Sequence, residues 1–271
     1  DVIVHMAAES HVDRSIDCAD DFIRTNVGGT HSLLEAALGY FKNLKDKQNF
    51  RFIHLSTDEV FGALGHKGKF NEEMPYRPNS PYAASKAASD LLVRSYRQTY
   101  GLPTIIVNSS NNYGPKQYPE KLIPLSILNA LENKELPIYG NGQQRRDWLH
   151  VEDHVRALYA IIKRGQLGES YCIGGENELT NLSLVENICS ILDELSPSSI
   201  HASYKSLIAF VADRPGHDFR YATDSTKVKQ HVSWEPEITF KDGLQQTIAW
   251  YLAQYEQVGR YSETRKRIGL R

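Results

Sequence analysis

The run Tyr82-Ala-Ala-Ser-Lys86 places a phenol and an ammonium four residues apart at the start of a long helical pattern. That spacing puts both side chains on one helix face, one turn apart. An ammonium beside a phenol favours the phenolate, so a phenol pKa of about 10 is expected to fall toward neutrality. Tyr82 would then act as acid or base toward a hydroxyl. About twenty-five residues earlier, the strand-like run Phe52–Leu55 leads into Ser56-Thr57-Asp58-Glu59-Val60-Phe61-Gly62. In an open parallel sheet, ligands sit beyond the carboxyl ends of the strands, where Thr57, Asp58 and Glu59 would lie. Two neighbouring carboxylates at such an edge can divide a task. The ionised one removes a carbon-bound proton and the protonated one delivers a proton to a departing hydroxyl. Each pattern alone also suits a solvated helix or turn; their conjunction favours chemistry.

The elements that must hold these groups alternate through the first half. Val2–Met6 reads as an apolar strand, an interior one of a parallel sheet, and Asp20 to Gly39 as a helix. Phe52–Leu55 follows as a strand, then a loop from Gly62 to Ser80. Pro81 opens a helix over Tyr82–Tyr100, Gly101 ends it, and Thr104–Val107 is a β-branched strand. The β-α-β-α-β order implies parallel strands with right-handed crossovers. The second half reads as helices over Leu122–Leu131, Val151–Lys163, Leu182–Leu195 and Phe240–Tyr255, with strands at Leu136–Tyr139 and Tyr171–Ile173. Asp213-Arg-Pro-Gly-His-Asp is a polar turn, and the Arg265–Arg267 cluster reads as a solvated helix end.

Of the 271 residues, 41% are hydrophobic and 24% charged, an ordinary globular mix with a formal net charge of −2. No global basic field argues for nucleic acid or an anionic membrane surface, and apolar runs are far too short to span a bilayer. Cys18, Cys172 and Cys189 are widely spaced and expected to be reduced, buried thiols in a cytoplasmic protein. No His, Cys and Asp spacing suggests a metal site; His5, His54 and His150 read as structural.

Five segments, Ala7-Ala-Glu-Ser-His-Val-Asp-Arg14, Ser56–Gly62, Tyr82–Lys86, Asn111-Asn-Tyr-Gly-Pro115 and Asp213–Asp218, together resemble the dTDP-glucose 4,6-dehydratase family of extended short-chain dehydrogenases/reductases. They recur in the family's order over essentially the whole chain, and the Thr57-Asp58-Glu59 triplet separates it from related epimerases and decarboxylases. The resemblance implies an α/β fold: a Rossmann-like doubly wound parallel sheet with a smaller mixed α/β lobe. The expected division is 1–116 plus 147–174 for the NAD-binding domain and 117–146 plus 175–271 for the nucleotide-sugar lobe. It also implies an NAD-dependent lyase acting on a dTDP-hexose. C4 is oxidised, water is eliminated across C5 and C6, and hydride returns to C6. In this scheme Tyr82, Lys86, Thr57, Asp58 and Glu59 are catalytic, with Glu59 as base and Asp58 as acid.

By the same resemblance, Ala7, Ala8, Glu9, Thr25, Tyr82, Lys86 and Asn112 would contact NAD. Ser10, Thr57, Asn111, Lys121 and Leu122 would contact sugar and diphosphate. Pro137, Ile138 and Tyr139 would hold the thymine edge, and Arg146, Asn181, Arg214 and His217 would clamp diphosphate and ribose. The planar forks of Arg146 and Arg214 suit phosphate oxygens. The family's Gly-rich pyrophosphate turn is not in the sequence, since Gly28-Gly29 and Gly174-Gly175 stand in other settings. A longer natural product, with further elements before Asp1, is therefore expected, and this chain alone is expected to bind NAD poorly. A homodimer paired through the Tyr82–Tyr100 and Asp20–Gly39 helices is expected, with Ala84, Ala87 and Ala88 exposed to allow close approach. Two alternatives stay open on the residues alone. One is another nucleotide-sugar epimerase or decarboxylase; the other is a non-catalytic fragment lacking its cofactor turn.

Overall fold

The computed structural model describes residues 1–255 and 257. In chain order, its first half comprises β1 (Val2–His5), α1 (Val12–Asp17), α2 (Ala19–Phe22), a π-helical turn (Ile23–Gly28), α3 (Gly29–Asn43), β2 (Arg51–Thr57), a 3₁₀ turn (Asp58–Phe61), α4 (Pro81–Tyr100), β3 (Thr104–Ser109) and β4 (Asn111–Tyr113). The second half comprises α5 (Leu122–Leu131), β5 (Leu136–Tyr139), β6 (Arg145–His150), α6 (Val151–Arg164), β7 (Ser170–Ile173), β8 (Glu178–Thr180), α7 (Asn181–Leu195), a 3₁₀ turn (Tyr204–Leu207), β9 (Ile208–Val211), α8 (Thr226–Val232) and α9 (Phe240–Ala253). The single helix expected over Asp20–Gly39 is thus interrupted by a π turn. The Arg265–Arg267 cluster lies outside the described residues.

Strands β1, β2, β3 and β7 lie side by side in that order, all parallel. Alternate residues of the inner strands face opposite sides. Phe52 and Ile106 join Leu34, Leu38, Val93 and Tyr96 under α3 and α4. Ile53, Ile105 and Val107 join Ala157, Ile161 and Tyr171 under α6. Helices on both faces of a parallel sheet make the doubly wound arrangement, and they explain why Phe52-Ile53 and Ile105–Val107 are buried whichever side they face. Within the described residues β1 stands at one end of this sheet, beside β2, with Val2 and Val4 exposed.

The smaller lobe is built on α5, α7 and α9, whose Ile127, Leu128, Ile188, Leu192, Ile248 and Tyr251 share one core. On α7 the buried Leu184, Val185, Ile188 and Leu192 recur at helical spacing, and each large apolar side chain removed from water stabilises by about 1.5–3 kcal/mol. Two short sheets, β4-β6-β8 and β5-β9, complete it. Segment 226–234, assigned to this lobe from sequence, contributes Val228, Val232 and Trp234 to the core beneath α6.

Cysteine burial needs one correction. All three thiols are free, but Cys18 is exposed at the junction of α1 and α2. Ala87 is likewise buried, against Val60, Phe61 and Phe70, so of the three alanines only Ala84 is exposed and Ala88 half-buried. No helix of the described residues is long and apolar enough to cross a membrane.

Candidate active site

The tip of β2 turns directly into the acidic pair. Thr57 caps the 3₁₀ turn by accepting from the Glu59 backbone N–H at 3.3 Å, which fixes Asp58 and Glu59 within one turn of the sheet edge. Gly62 ends the turn at φ 86°, where a Cβ would stand 2.3 Å from the Arg77 carbonyl oxygen. Only glycine satisfies both demands.

Opposite it, α4 begins with Ser80 accepting from the Ala83 N–H at 3.1 Å and with Pro81 in the first turn. Tyr82 and Lys86 are both buried. The Tyr82 ring meets Phe22 edge-on, and its hydroxyl is hydrogen-bonded by Thr57. Lys86 Nζ donates to the Leu55 carbonyl at 2.7 Å. The expected fall in the phenol's pKa is corrected here. Burial, and then the Glu59 charge, push Tyr82 upward, outweighing the hydrogen bond from Thr57. The helical spacing is as read, but burial and the acids of the 3₁₀ turn beyond β2 outweigh the lysine at the phenol.

The two carboxyls stand in unequal surroundings. Asp58 is 2% exposed, and its pKa is raised well above the ordinary carboxylate range by burial, by Glu59 and by Asp147. Glu59 is also raised by burial, but Arg214, Arg146 and Lys121 all pull it back. Asp58 is therefore the carboxyl that keeps its proton, and Glu59 the one with cationic support for ionisation.

Glu59 opens into a cleft of about 150 Å³. Ser10, Asn111, Lys121, Leu122, Tyr139, Arg146, Asn181, Arg214 and His217, singled out from sequence, share its walls. Ile138 does not: it is in the core of the smaller lobe, and Pro137 beside it pairs with Ala209. Arg146 gives two donors to backbone oxygens, Arg145 at 2.7 Å and Asp218 at 3.0 Å, and stacks 4.1 Å over Tyr221. Arg214 donates to Asp13 at 3.1 Å while its buried Nε has no hydrogen-bond partner. His217 Nδ1 lies 2.7 Å from Asp213, yet burial and then Arg214 push its pKa down to about 4, so it is neutral.

His11, Asp13, Glu120, Trp148 and Tyr221 also line the cleft and were not singled out from sequence. Asp13 accepts from Tyr139 at 2.9 Å as well as from Arg214. These partners lie 126 and 201 residues away. A signal existed for His11 and Asp13, both inside the segment Ala7–Arg14; Glu120, Trp148 and Tyr221 carried none.

The segment after β1 is tied to the helix of Tyr82. Asn26, on the π turn, accepts from Glu9 N–H at 2.8 Å, donates to Glu9 O at 3.0 Å and donates to Ser85 at 2.8 Å. Ala7 and Thr25 are exposed and Ala8 half-buried. The Asn112 amide is engaged within the protein, donating to Ser109 and Ser110 and facing His154 Nδ1 at 2.6 Å. Gly175 approaches the Trp148 carbonyl, a packing role distant from phosphate binding.

The family model described as GDP-mannose 4,6 dehydratase matches residues 1–247. The dTDP-glucose 4,6-dehydratase of Neisseria meningitidis serogroup B is 56% identical over 257 residues, covering 93% of this chain and 72% of that protein. The dTDP-glucose 4,6-dehydratase 1 of Escherichia coli K12 is 55% identical over 269 residues, 95% of this chain and 74% of that one. Among solved structures, the dTDP-glucose 4,6-dehydratase of Streptomyces venezuelae with NAD and TYD bound superposes with a TM-score of 0.86 at 45% identity, covering 95% of this chain and 74% of that one. The UDP-glucuronic acid 4-epimerase of Bacillus cereus, in complex with UDP-glucuronic acid and NAD, gives 0.82 at 28% identity, covering 94% and 76%.

Proposed function

The chain belongs to the GDP-mannose 4,6 dehydratase family, with dTDP-glucose 4,6-dehydratases among its near relatives, and on that footing we propose how its own residues carry the reaction. It is an NAD-dependent lyase that converts dTDP-glucose to dTDP-4-keto-6-deoxyglucose. The observation that carries the residue assignment is the unequal setting of Asp58 and Glu59 at one strand tip. An epimerase needs no such pair.

The residues present fit a ribose-bearing cofactor. Ser110 Oγ and Asn111 Oδ1 are buried without hydrogen-bond partners just beyond β3, at the carboxyl end of the sheet. Tyr82 and Lys86 would hold the nicotinamide ribose, the backbone at Ala7, Ala8 and Glu9 and the side chain of Thr25 would hold the rest, and Asn112 would fix the adjoining loop. Bound NAD supplies the acceptor for hydride from C4 and the donor for its return to C6.

Tyr82 takes the proton of the sugar 4-hydroxyl while Thr57 hydrogen-bonds the same oxygen. Because its surroundings hold the proton on the phenol, Tyr82 depends on the Lys86 ammonium to release it first. The 4-ketone acidifies C5–H, and Glu59 removes that proton. Asp58 gives its proton to the 6-hydroxyl, which leaves as water. A proton returns to C5, so one water is lost and no net oxidation occurs. Arg214, Lys121 and Arg146 offer the positive wall for a diphosphate, with Ser10, Asn111, Leu122, Asn181 and His217 beside them and Tyr139 toward the base.

The test is purified protein given NAD and dTDP-glucose, with the product followed by loss of one water in mass and by its alkaline absorbance. Calorimetric binding of both ligands without any 4-keto product would refute the assignment. A homodimer paired through α4 and the 19–43 helical run is also proposed. Ile23 and Leu91 stand exposed on those segments. Sedimentation of a monomer at micromolar concentration would reject it. Free thiols suit a reducing, cytoplasmic setting.

A further inference from the structure

One turn beyond Lys86 on the same face of α4 is a carboxylate that the reaction itself does not call for. Asp90 is fully buried. Its Oδ2 accepts from Ser56 Oγ at 2.7 Å, Tyr76 OH at 2.8 Å and Asn108 Nδ2 at 3.3 Å. Its Oδ1 faces His54 Nε2 at 3.1 Å. These partners come from β2, the loop before α4, and β3, so one side chain ties the helix to two strands and a loop. Asn108 also donates to the Thr57 carbonyl at 3.2 Å, linking the same cluster to the strand tip.

The surrounding partners are neutral. Serine, asparagine and tyrosine carry no charge, and burial pushes His54 down toward its uncharged form. A buried carboxylate is expensive without a compensating cation. The cation that Asp90 favours is Lys86, whose ammonium is otherwise opposed by burial. The other titratable groups around the pair are His5 on β1, His54 on β2, Tyr76 in the loop and Tyr82 on α4. Arg94, a turn further along, lies over the Tyr76 ring and donates to Ser170.

We propose that Asp90 is a positioning residue for the Tyr82–Lys86 couple, pinning α4 to β2 and β3 and supplying the buried negative charge against which Lys86 stays an ammonium. Its place in the reaction rests on the reading of Tyr82 and Lys86 given above; its pairing with Lys86 does not.

The experiment compares wild type, Asp90→Asn, Lys86→Met and the double variant in the full chain. Thermal melts without any ligand come first. Asp90→Asn alone should lower Tm by roughly 4 °C or more, and the double variant should regain most of that loss, because the pair is neutralised together. Losses that simply add would overturn the proposal. If Asp90→Asn does not fold, the double variant decides alone: folded supports the pairing, unfolded overturns it. With NAD and dTDP-glucose, Asp90→Asn should slow C4 oxidation about tenfold or more. KM should change by less than about twofold, and the alkaline limb of that step should move to lower pH, since the ammonium is lost sooner. An unmoved limb would overturn the positioning role. Were wild type itself inactive, the melts would still read the pairing, so the two failures are distinct.

Discussion

Lys86 reaches from α4 to β2 and donates from Nζ to the Leu55 carbonyl oxygen at 2.7 Å, two residues before Thr57. The helix carrying the phenol and the strand leading to the acids are thereby held together by the side chain proposed to assist Tyr82. Burial lowers the lysine's pKa, with Asp90 acting against that fall.

Asp58→Asn should separate the two halves of the reaction. Elimination is expected to fall by about 10²–10⁴, whereas C4 oxidation survives. Mixing the variant with NAD and dTDP-glucose should therefore build up reduced-cofactor absorbance while no water is lost. Parallel loss of both steps would count against Asp58 as the acid. In the wild type, elimination should decline as pH rises through the elevated pKa of Asp58, since only the protonated form donates.

Asp147 gives a stability test. Its carboxyl is buried, accepts from Asn177 N–H at 2.9 Å, and is pushed up by burial to about 6. A raised acid pKa favours the protonated folded state. Its contribution is thus fully present below the unfolded value of about 3.9 and is lost as pH rises through about 6. Asp147→Asn lacks that loss. Urea melts at about pH 4.5 and about pH 7.5 should show the variant gaining on wild type by up to roughly 2 kcal/mol from the lower pH to the higher. An equal difference at both pH values would contradict it.

Arg214→Lys keeps the charge but loses the planar fork, whose Nη1 serves Asp13 and whose buried Nε has no hydrogen-bond partner. Steady-state kinetics should show KM for dTDP-glucose rising about tenfold with kcat changed less than about twofold. A fall confined to kcat would argue that Arg214 acts on the transition state instead.

Two glycines predict opposite outcomes. A Cβ at Gly175 would lie 1.9 Å from the Trp148 carbonyl oxygen, a backbone atom that cannot move aside. Gly175→Ala should cost about 3 kcal/mol or more in urea unfolding, or prevent folding. Gly39 sits exposed within α3 with nothing in reach of a Cβ, so Gly39→Ala should stabilise by about 0.5–1 kcal/mol.

Local chemistry was legible in the chain itself. Short apolar and β-branched runs specified β2 and β3, helical patterning specified α4 and α7, and Pro81 marked where Tyr82 begins a helix. The tyrosine–lysine spacing and the acidic pair were visible because each depends on near neighbours. What only the tertiary structure decided depends on distance through space. Charge and burial reach residues far apart in sequence, so it took the fold to show that Asp147 raises Asp58, that Arg214 and Lys121 support Glu59, and that the acids hold the proton on Tyr82. The same reason hid Ile138 in a core and put Asp13 against Arg214, since a residue's partners are set by packing rather than by its place in the chain.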